Sequence, residues 1–434
     1  MRFPWQRPVQ RGTSAESLRG LVVVVGAGLA GLVAATTIIE AGHEVLIVEA
    51  DGAPGGTSAH STGWIWRYRK LEDHGRFAPA GSRELQERIW HELPECIPWL
   101  ERRGARLRAS GTANALTDGV RLDIPRCIDG LSGQLPSGVL ITGTRVVSAT
   151  RVDDADEPIE LTLESLGGVR TRRRAARVIF AGGGFAANLV RVARAAHVAD
   201  RVRDTWFVRA ADGADGSSQD VARQLGVRVD EAAGASYARM MPRGAIRTGI
   251  DWARGALPVG AGGEVIDGRG RLLSWSSDDW ADTQRTWQLA TSSGTGWIVV
   301  EPSRLEMELS YGTVRQTLAY ADSYGARVMT GAVGTLAEHL EQQLGVELEP
   351  SARNAANLAT HAIETCVGVT HTLGGIEVDV DCRAGVGSEA PHDVLAAGVD
   401  VGGIALGGYT SGLAQALVLG RRAGRTAAGV SASG

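Results

Sequence analysis

The first apolar run is Val22–Val25, four β-branched residues in succession. It is too short for a helix and suits a parallel strand covered on both faces. A second apolar stretch runs from Leu29 to Ile39 with helical length and stops before Gly42, and a third, "EVLIVE", ends on Glu49. A strand–helix–strand unit is predicted. Further on, "GVLITGTRVVSATR" (138–151) and then "IELTLES" alternate apolar and polar positions, as strands of a small antiparallel layer do. The charge run "RTRRRAAR" that follows reads as a solvated turn before the strand at Val178. "GTLAEHLEQQLGV" has the spacing of a polar-faced helix.

Between the first strand and its helix lies Gly26-Ala27-Gly28-Leu29-Ala30-Gly31. The first glycine permits a tight turn, the second lets backbone approach a pyrophosphate, and the third lets helix pack closely on strand. The N–H groups at Leu29 and Ala30 then face the phosphates from a helix N-terminus. Glu49 stands where a carboxylate accepts hydrogen bonds from an adenosine ribose. A dinucleotide is predicted; this motif alone does not separate FAD from NAD.

A chain of 434 residues, 44% apolar and 22% charged, is that of a globular protein with two or three domains. A formal charge of −4 gives no reason to expect nucleic acid or an anionic membrane as partner. Lys70 is the sole lysine beside 44 arginines, so an isolated arginine says little about an anion site. Cys96, Cys127, Cys366 and Cys382 make no CxxC and no metal spacing, which suits reduced thiols and a cytoplasmic location. Residues 21–39 could pass a hydropathy filter as a membrane span, but the glycine pattern and Glu49 explain them better. The first 20 residues read as a polar, partly disordered extension.

Four further stretches resemble the fumarate reductase and 3-ketosteroid dehydrogenase family of FAD enzymes. "GGTSAHSTGWIW" (55–66) is similar to the segment that crosses the flavin ring in that family. "VIFAGGGFAAN" (178–188) looks like its strand and glycine turn on returning to the FAD domain, and "HTLGGIEVD" (371–379) resembles its HTMGG motif. "VLAAGVDVGG" followed by "SGLAQALVLGRRAG" is similar to its closing strand and helix. The landmarks occur in family order over residues 21–426.

The resemblance implies an α/β fold: a discontinuous Rossmann-like FAD-binding domain (18–235 and 367–434) with an inserted α+β cap, or substrate, domain (236–366). It implies cofactor contacts at Ala50 after Glu49 and at Gly55, Gly56, Thr57, Ser58, Ser61, Thr62 and Gly63 in the crossing segment. Val146, Ala181, Gly182, Gly183 and Asp215 follow, then His371, then Gly398, Val399 and Asp400, and last Ser411, Gly412, Leu413 and Ala414. Trp64 and Trp66 would stand near the substrate side.

Departures from the family pattern carry as much information. The position of the flavin-linking histidine in covalent members is Thr57, with His60 off register, so FAD is expected to be non-covalent. Aligning "GRGRLLSWSSDDWAD" puts Asp279 at or near the cap arginine that donates a proton in fumarate reductases. The arginine of the closing loop appears as Tyr409 or a gap. A dicarboxylate such as fumarate is therefore not expected, because paired carboxylates need bidentate cations; Arg243 and Arg285 are the candidates to replace them. "GGYTSGL" is similar to the tyrosine-bearing closing loop of the ketosteroid branch, with Tyr409 in the corresponding place. Five of eleven tryptophans (252, 275, 280, 287 and 297) fall in the cap, as an apolar or ring-shaped substrate would want.

The function expected is FAD-dependent dehydrogenation, or reduction, of a C–C bond next to a carbonyl in an apolar, cyclic small molecule. Such chemistry needs a base for the acidic C–H and a donor to the enolate oxygen. Tyr409 is the first candidate, with His371 and Tyr237 behind it and Tyr311 next. An external electron acceptor (oxygen, a quinone or a reductase) is expected, and neither a metal nor a membrane span. Two other readings compete: an NAD(P)H-dependent flavin monooxygenase, for which "GGGFAAN" is the sole second-nucleotide candidate, and a non-redox isomerase or binding protein that keeps the flavin.

Overall fold

The computed structural model describes residues 20–112, 115–231, 236–244, 249–257, 263–274, 281–309, 311–385, 391–406 and 408–430. The N-terminal extension, Asp279, Trp275 and Trp280 lie outside them.

The predicted strand–helix–strand unit forms as Val22–Val25, Leu29–Glu40 and Val45–Val48. It sits at the middle of a five-stranded parallel sheet. The order is Val394–Ala396, Arg177–Phe180, Val22–Val25, Val45–Val48, Leu140–Ile141. The four valines of the first strand are buried on both faces, as an uninterrupted β-branched run requires. The stretch 21–39 is thus split by a turn, and among the described residues no helix is long and apolar enough to cross a membrane.

The closing helix, Gly412–Ala427, lies against the Leu29–Glu40 helix. Their backbones touch: a Cβ on Gly420 would stand 2.5 Å from the Ala30 carbonyl oxygen, and one on Gly424 2.6 Å from that of Ala34. Two glycines four residues apart on one face thus set the interhelical distance. This brings the start of the last helix beside the glycine turn of the first.

A three-stranded antiparallel layer, Thr144–Arg151, Ile159–Ser165 and Arg170–Ala175, forms where alternation predicted strands. Its third strand is a correction: the arginine run is not a turn but an exposed edge strand. Register places Arg170 opposite Glu164 and Arg174 opposite Glu160, and Arg170 also hydrogen-bonds Glu164 at 2.5 Å. Opposite charges across a strand pair hold this strand in place of apolar burial.

A second large sheet has the long strand His361–Thr372 at its centre. Ser236–Pro242, Thr295–Val300 and Val328–Thr330 pair with it antiparallel, and Phe207–Val208 pairs parallel; Gly263–Asp267 extends the edge beyond Thr295–Val300. Each large sheet has its own buried apolar cluster. The helix over Leu336–Leu344 matches its sequence pattern. The four cysteines are all buried and unbridged.

Candidate active site

A cavity of about 770 Å³ runs between the two sheets. One end is the glycine turn. Gly26 takes φ +100°, and a Cβ there would stand 2.5 Å from the Ala181 oxygen, so only glycine fits. Gly31 faces away from the cavity; its Cβ would lie 2.0 Å from the Gly26 oxygen, which makes it the packing glycine of the turn. Gly28 differs from both. A Cβ there would meet no protein atom nearer than 3.9 Å, and the residue lines the cavity, so its missing side chain leaves room for a ligand. Glu49, also lining, accepts from the N–H of Ala27 (2.6 Å) and of Asp51 (2.8 Å). Burial pushes its carboxyl above the usual range, and those N–H donors work against that shift.

The segment 55–63 forms the floor. Gly56–His60 winds as a short 3₁₀ turn between Gly55 and Gly63, both at positive φ. Gly56, Thr57, Ser58, Ser61 and Thr62 line the cavity, as do Trp64 and Trp66 beyond them. The Thr57 hydroxyl oxygen accepts from the Ala211 N–H at 2.9 Å, which ties the floor to the opposite wall. The buried Ser61 hydroxyl has no hydrogen-bond partner among the described residues.

Ala50, Val146, Ala181, Gly182 and Gly183 also line the cavity, with His371, Gly398, Val399, Ser411, Gly412 and Leu413. Gly55, Gly63, Asp215, Asp400 and Ala414 are brought close but do not line it. Gly55 donates its N–H to the Ala27 oxygen (2.9 Å), and Gly63 backs onto the Leu122 oxygen. Asp215 is engaged by Arg145 at 2.6 Å, and Ala414 donates its N–H to Ser411 Oγ. Asp400 is fully buried and acts as a brace. Its carboxylate accepts from the N–H of Gly182 (2.5 Å), the N–H of Gly184 (2.9 Å) and the Ser218 hydroxyl (2.9 Å). It thereby joins the second glycine turn to the helix Ser217–Gln224. Burial raises its carboxyl pKa, and the three donors oppose the rise.

The other end of the cavity is aromatic. Tyr237 and Tyr409 stack at 4.1 Å between ring centroids and 12° between planes. Trp66 lies 5.4 Å from Tyr409, and His371 5.1 Å from Tyr237. Strand pairing places Tyr237 opposite His371, with a bulge just after Tyr237. The Tyr409 carbonyl oxygen accepts from the Tyr68 hydroxyl at 2.8 Å, which fixes the closing loop. Ser411 caps the last helix and also accepts from the Trp66 N–H at 3.4 Å. Burial and the neighbouring Tyr237 hold the Tyr409 phenol well above its ordinary pKa. Burial, with the nearby Arg209, pushes the His371 imidazole down to about 4.

Residues not anticipated from sequence complete this end: Arg209, Arg239 and Arg254, with Thr112, Thr117 and Thr370. The sequence reading has the two family arginines missing and names none of these three. The replacements named from sequence are elsewhere: Arg243 pairs with Glu364 (2.7 Å), Arg285 with Glu264 (2.8 Å), and neither lines the cavity. Of the cap tryptophans, Trp252 lines it, packed 4.4 Å from His60, whereas Trp297 is core.

Residues 22–122 match the family described as "FAD binding domain". The chain is an FAD-binding protein. The cavity fits that cofactor: an open approach at Gly28, a carboxylate at Glu49, and an unpartnered Ser61 hydroxyl on the floor. The NADH:fumarate oxidoreductase of Klebsiella pneumoniae is 24% identical, over 94% of this chain and 47% of that protein. The open conformation of a flavocytochrome c3 fumarate reductase superposes with a TM-score of 0.71 at 19% identity, over 94% of this chain and 78% of the other. The 3-ketosteroid delta1-dehydrogenase of Sterolibacterium denitrificans, in complex with 1,4-androstadiene-3,17-dione, gives 0.71 at 15%, over 95% and 100%. At these identities the structural likeness is one of fold. The flavoprotein spans about half the length of the curated relative it matches along its whole chain.

Proposed function

We propose that this protein is an FAD-dependent oxidoreductase that removes hydrogen from, or adds it to, a C–C bond next to a carbonyl in an apolar, cyclic small molecule. The observation that carries the reading is the stacked Tyr237–Tyr409 pair, set at the aromatic end of the same cavity whose far end holds the nucleotide elements. Bound FAD supplies the hydride acceptor or donor. The chain supplies orientation and proton handling. With its pKa raised, Tyr409 keeps its proton at neutral pH and is suited to donate to an enolate oxygen. Tyr237, stacked on it, holds the ring in place. His371, neutral at that pH, is a wall and hydrogen-bonding group rather than an acid.

The same reading takes FAD to be held without a covalent bond, since Thr57 stands at the linking position. It takes residues 18–235 and 367–434 as the Rossmann-like FAD domain and 236–366 as the cap. One fact weighs against a monooxygenase with its own NAD(P)H site. The "GGGFAAN" turn lines the FAD cavity at Gly182 and Gly183, and Asp400 holds it there. The steroid-bound dehydrogenase of like fold makes a polycyclic ketone a reasonable probe. Anaerobic mixing of the loaded protein with a panel of saturated cyclic ketones should bleach the flavin. Bleaching by NADPH alone would point to the monooxygenase, and bleaching by neither to a non-redox role.

A further inference from the structure

The closing loop that carries Tyr409 rests on one stretch of chain, residues 68–86. The Ser82 N–H donates to the Gly403 oxygen (2.6 Å), and the Ala80 N–H to the Leu406 oxygen (3.2 Å). Gln86, buried, donates from Nε2 to the oxygens of Ala78 and Ile404, both at 2.9 Å, and so ties the stretch to the loop. Gly408 lies flush on the end of the helix Leu71–Phe77: a Cβ there would stand 1.3 Å from the Phe77 oxygen. The last contact is the bond from the Tyr68 hydroxyl to the Tyr409 oxygen at 2.8 Å. Tyr68 is itself well fixed. It ends the strand Trp64–Tyr68, paired opposite Thr117, and its carbonyl accepts from the Trp90 indole N–H at 2.8 Å. Its ring is fully buried, with Phe77 stacked at 5.4 Å and His74 tilted at 5.4 Å.

At the other end of the Tyr409 side chain, Tyr237 and Trp66 flank the ring. Flat rings in contact set a plane but resist sliding within it only weakly, because dispersion is non-directional. How far the hydroxyl reaches is then decided by where the backbone is anchored. We propose that Tyr68 is a positioning residue: its hydroxyl, through the Tyr409 carbonyl, fixes how far the Tyr409 phenol extends into the cavity. This rests on the reading of Tyr409 as the donor to the substrate oxygen. Tyr68 does not line the cavity, so it acts only through Tyr409. A phenylalanine at 68 keeps the ring packing and removes this donor from a buried carbonyl, which frees the loop to settle elsewhere. A donor must lie within a few tenths of an ångström of its best distance to an oxyanion, and a shift of about 1 Å can cost on the order of 10² in rate.

The test is a cycle of Tyr68→Phe, Tyr409→Phe and the double variant in the FAD-loaded protein, with one readout that needs no substrate. Crystal structures of wild type and Tyr68→Phe should show the Tyr409 hydroxyl displaced by more than about 0.5 Å from its wild-type place. A hydroxyl that stays within that distance overturns the inference. The second readout is the anaerobic rate of flavin reduction by the saturated cyclic ketone that bleaches the wild type fastest. Tyr68→Phe should slow it roughly 10- to 100-fold with little change in the ketone concentration for half-saturation. In the Tyr409→Phe background the same substitution should change the rate less than about twofold, because the hydroxyl it positions is gone. Gly408→Ala, which pushes the loop off Phe77, should behave in the same way. A Tyr68→Phe loss that recurs in full beside Tyr409→Phe marks Tyr68 as general support and overturns the inference. A slow Tyr409→Phe variant beside a Tyr68→Phe variant of wild-type rate also overturns it and leaves the proposed function standing. A displaced hydroxyl in Tyr68→Phe together with a Tyr409→Phe variant of wild-type rate, or with no bleaching by any ketone, keeps the anchor and sinks the proposed function.

Discussion

Replacing Asp400 by asparagine tests whether the second glycine turn is held by charge. The carboxylate accepts two backbone N–H groups and one hydroxyl with no exposure to solvent. Asparagine keeps one acceptor oxygen and turns an NH₂ toward the other donors. One charge-assisted hydrogen bond is then lost, about 1.5–3 kcal/mol, and one buried N–H is left without a partner, about 1–3 kcal/mol more. The neutral side chain recovers part of the desolvation cost that raises the Asp400 pKa. The net loss should be about 2–4 kcal/mol, a large share of the 5–15 kcal/mol typical of a folded domain. The sign with pH follows from the raised pKa. The folded state holds the Asp400 proton more tightly than the unfolded chain does. The charge therefore opposes folding above the raised value, and that opposition fades as pH falls toward the ordinary carboxyl range. Asparagine does not titrate, so this gain belongs to wild type alone and the gap between wild type and variant should widen as pH falls through that interval. Urea unfolding of the FAD-free protein across pH reads the gap, and fluorescence titration reads FAD affinity, which should weaken as Gly182–Gly184 loosens. A variant within about 0.5 kcal/mol of wild type at pH 7, with unchanged FAD affinity, would refute the brace, since that is the scatter of substitutions away from such features.

Tyr409→Phe should leave FAD content unchanged and lower kcat and kcat/KM together by on the order of 10²–10³, as loss of one enolate-stabilising donor does; unchanged kcat with altered thermal stability would mark Tyr409 as packing. Acid precipitation should release all the yellow colour into the supernatant, whereas colour kept on the pellet would contradict non-covalent FAD. His74 and His371 are both pushed down to about 4, so each is neutral in the folded protein where the unfolded chain still takes up a proton. Their contribution to stability is present above about pH 6.5 and is lost as pH falls toward 4. A melting temperature that stays flat over that acid interval in wild type and in a His74→Phe variant alike would show that neither ring is held neutral.

The nucleotide half of the site was legible because each of its requirements is local. A β-branched run, three glycines at fixed spacing and an acid one strand later lie within 28 residues (22–49) and need no knowledge of tertiary contacts. Tyr409 and His371 were named through the resemblance and Tyr237 as one of the cap tyrosines, and the fold brings the three rings together. Orientation was not legible. Asp400 follows Gly398 and Val399, which line the cavity, yet its own side chain turns inward to hold Gly182 and Gly184. The arginines were hidden for two reasons. The chain uses arginine almost wherever a base is needed, so no single one stood out. Arg209 and Arg239 also meet only because Phe207–Val208 and Ser236–Pro242 both pair with His361–Thr372. The edge strand Arg170–Ala175 was missed because alternation detects apolar burial, and this strand is held by ion pairs instead.

The central claim is that one cavity holds FAD along its length and presents the flavin to the Tyr237–Tyr409 pair. A crystal structure of the protein grown with FAD tests it most directly. The pyrophosphate should lie at Gly28, the adenosine ribose on Glu49, and the flavin ring over the Gly56–Thr62 floor with one face toward Tyr409 and His371. A flavin turned away from those two side chains, or bound outside this cavity, would contradict the account.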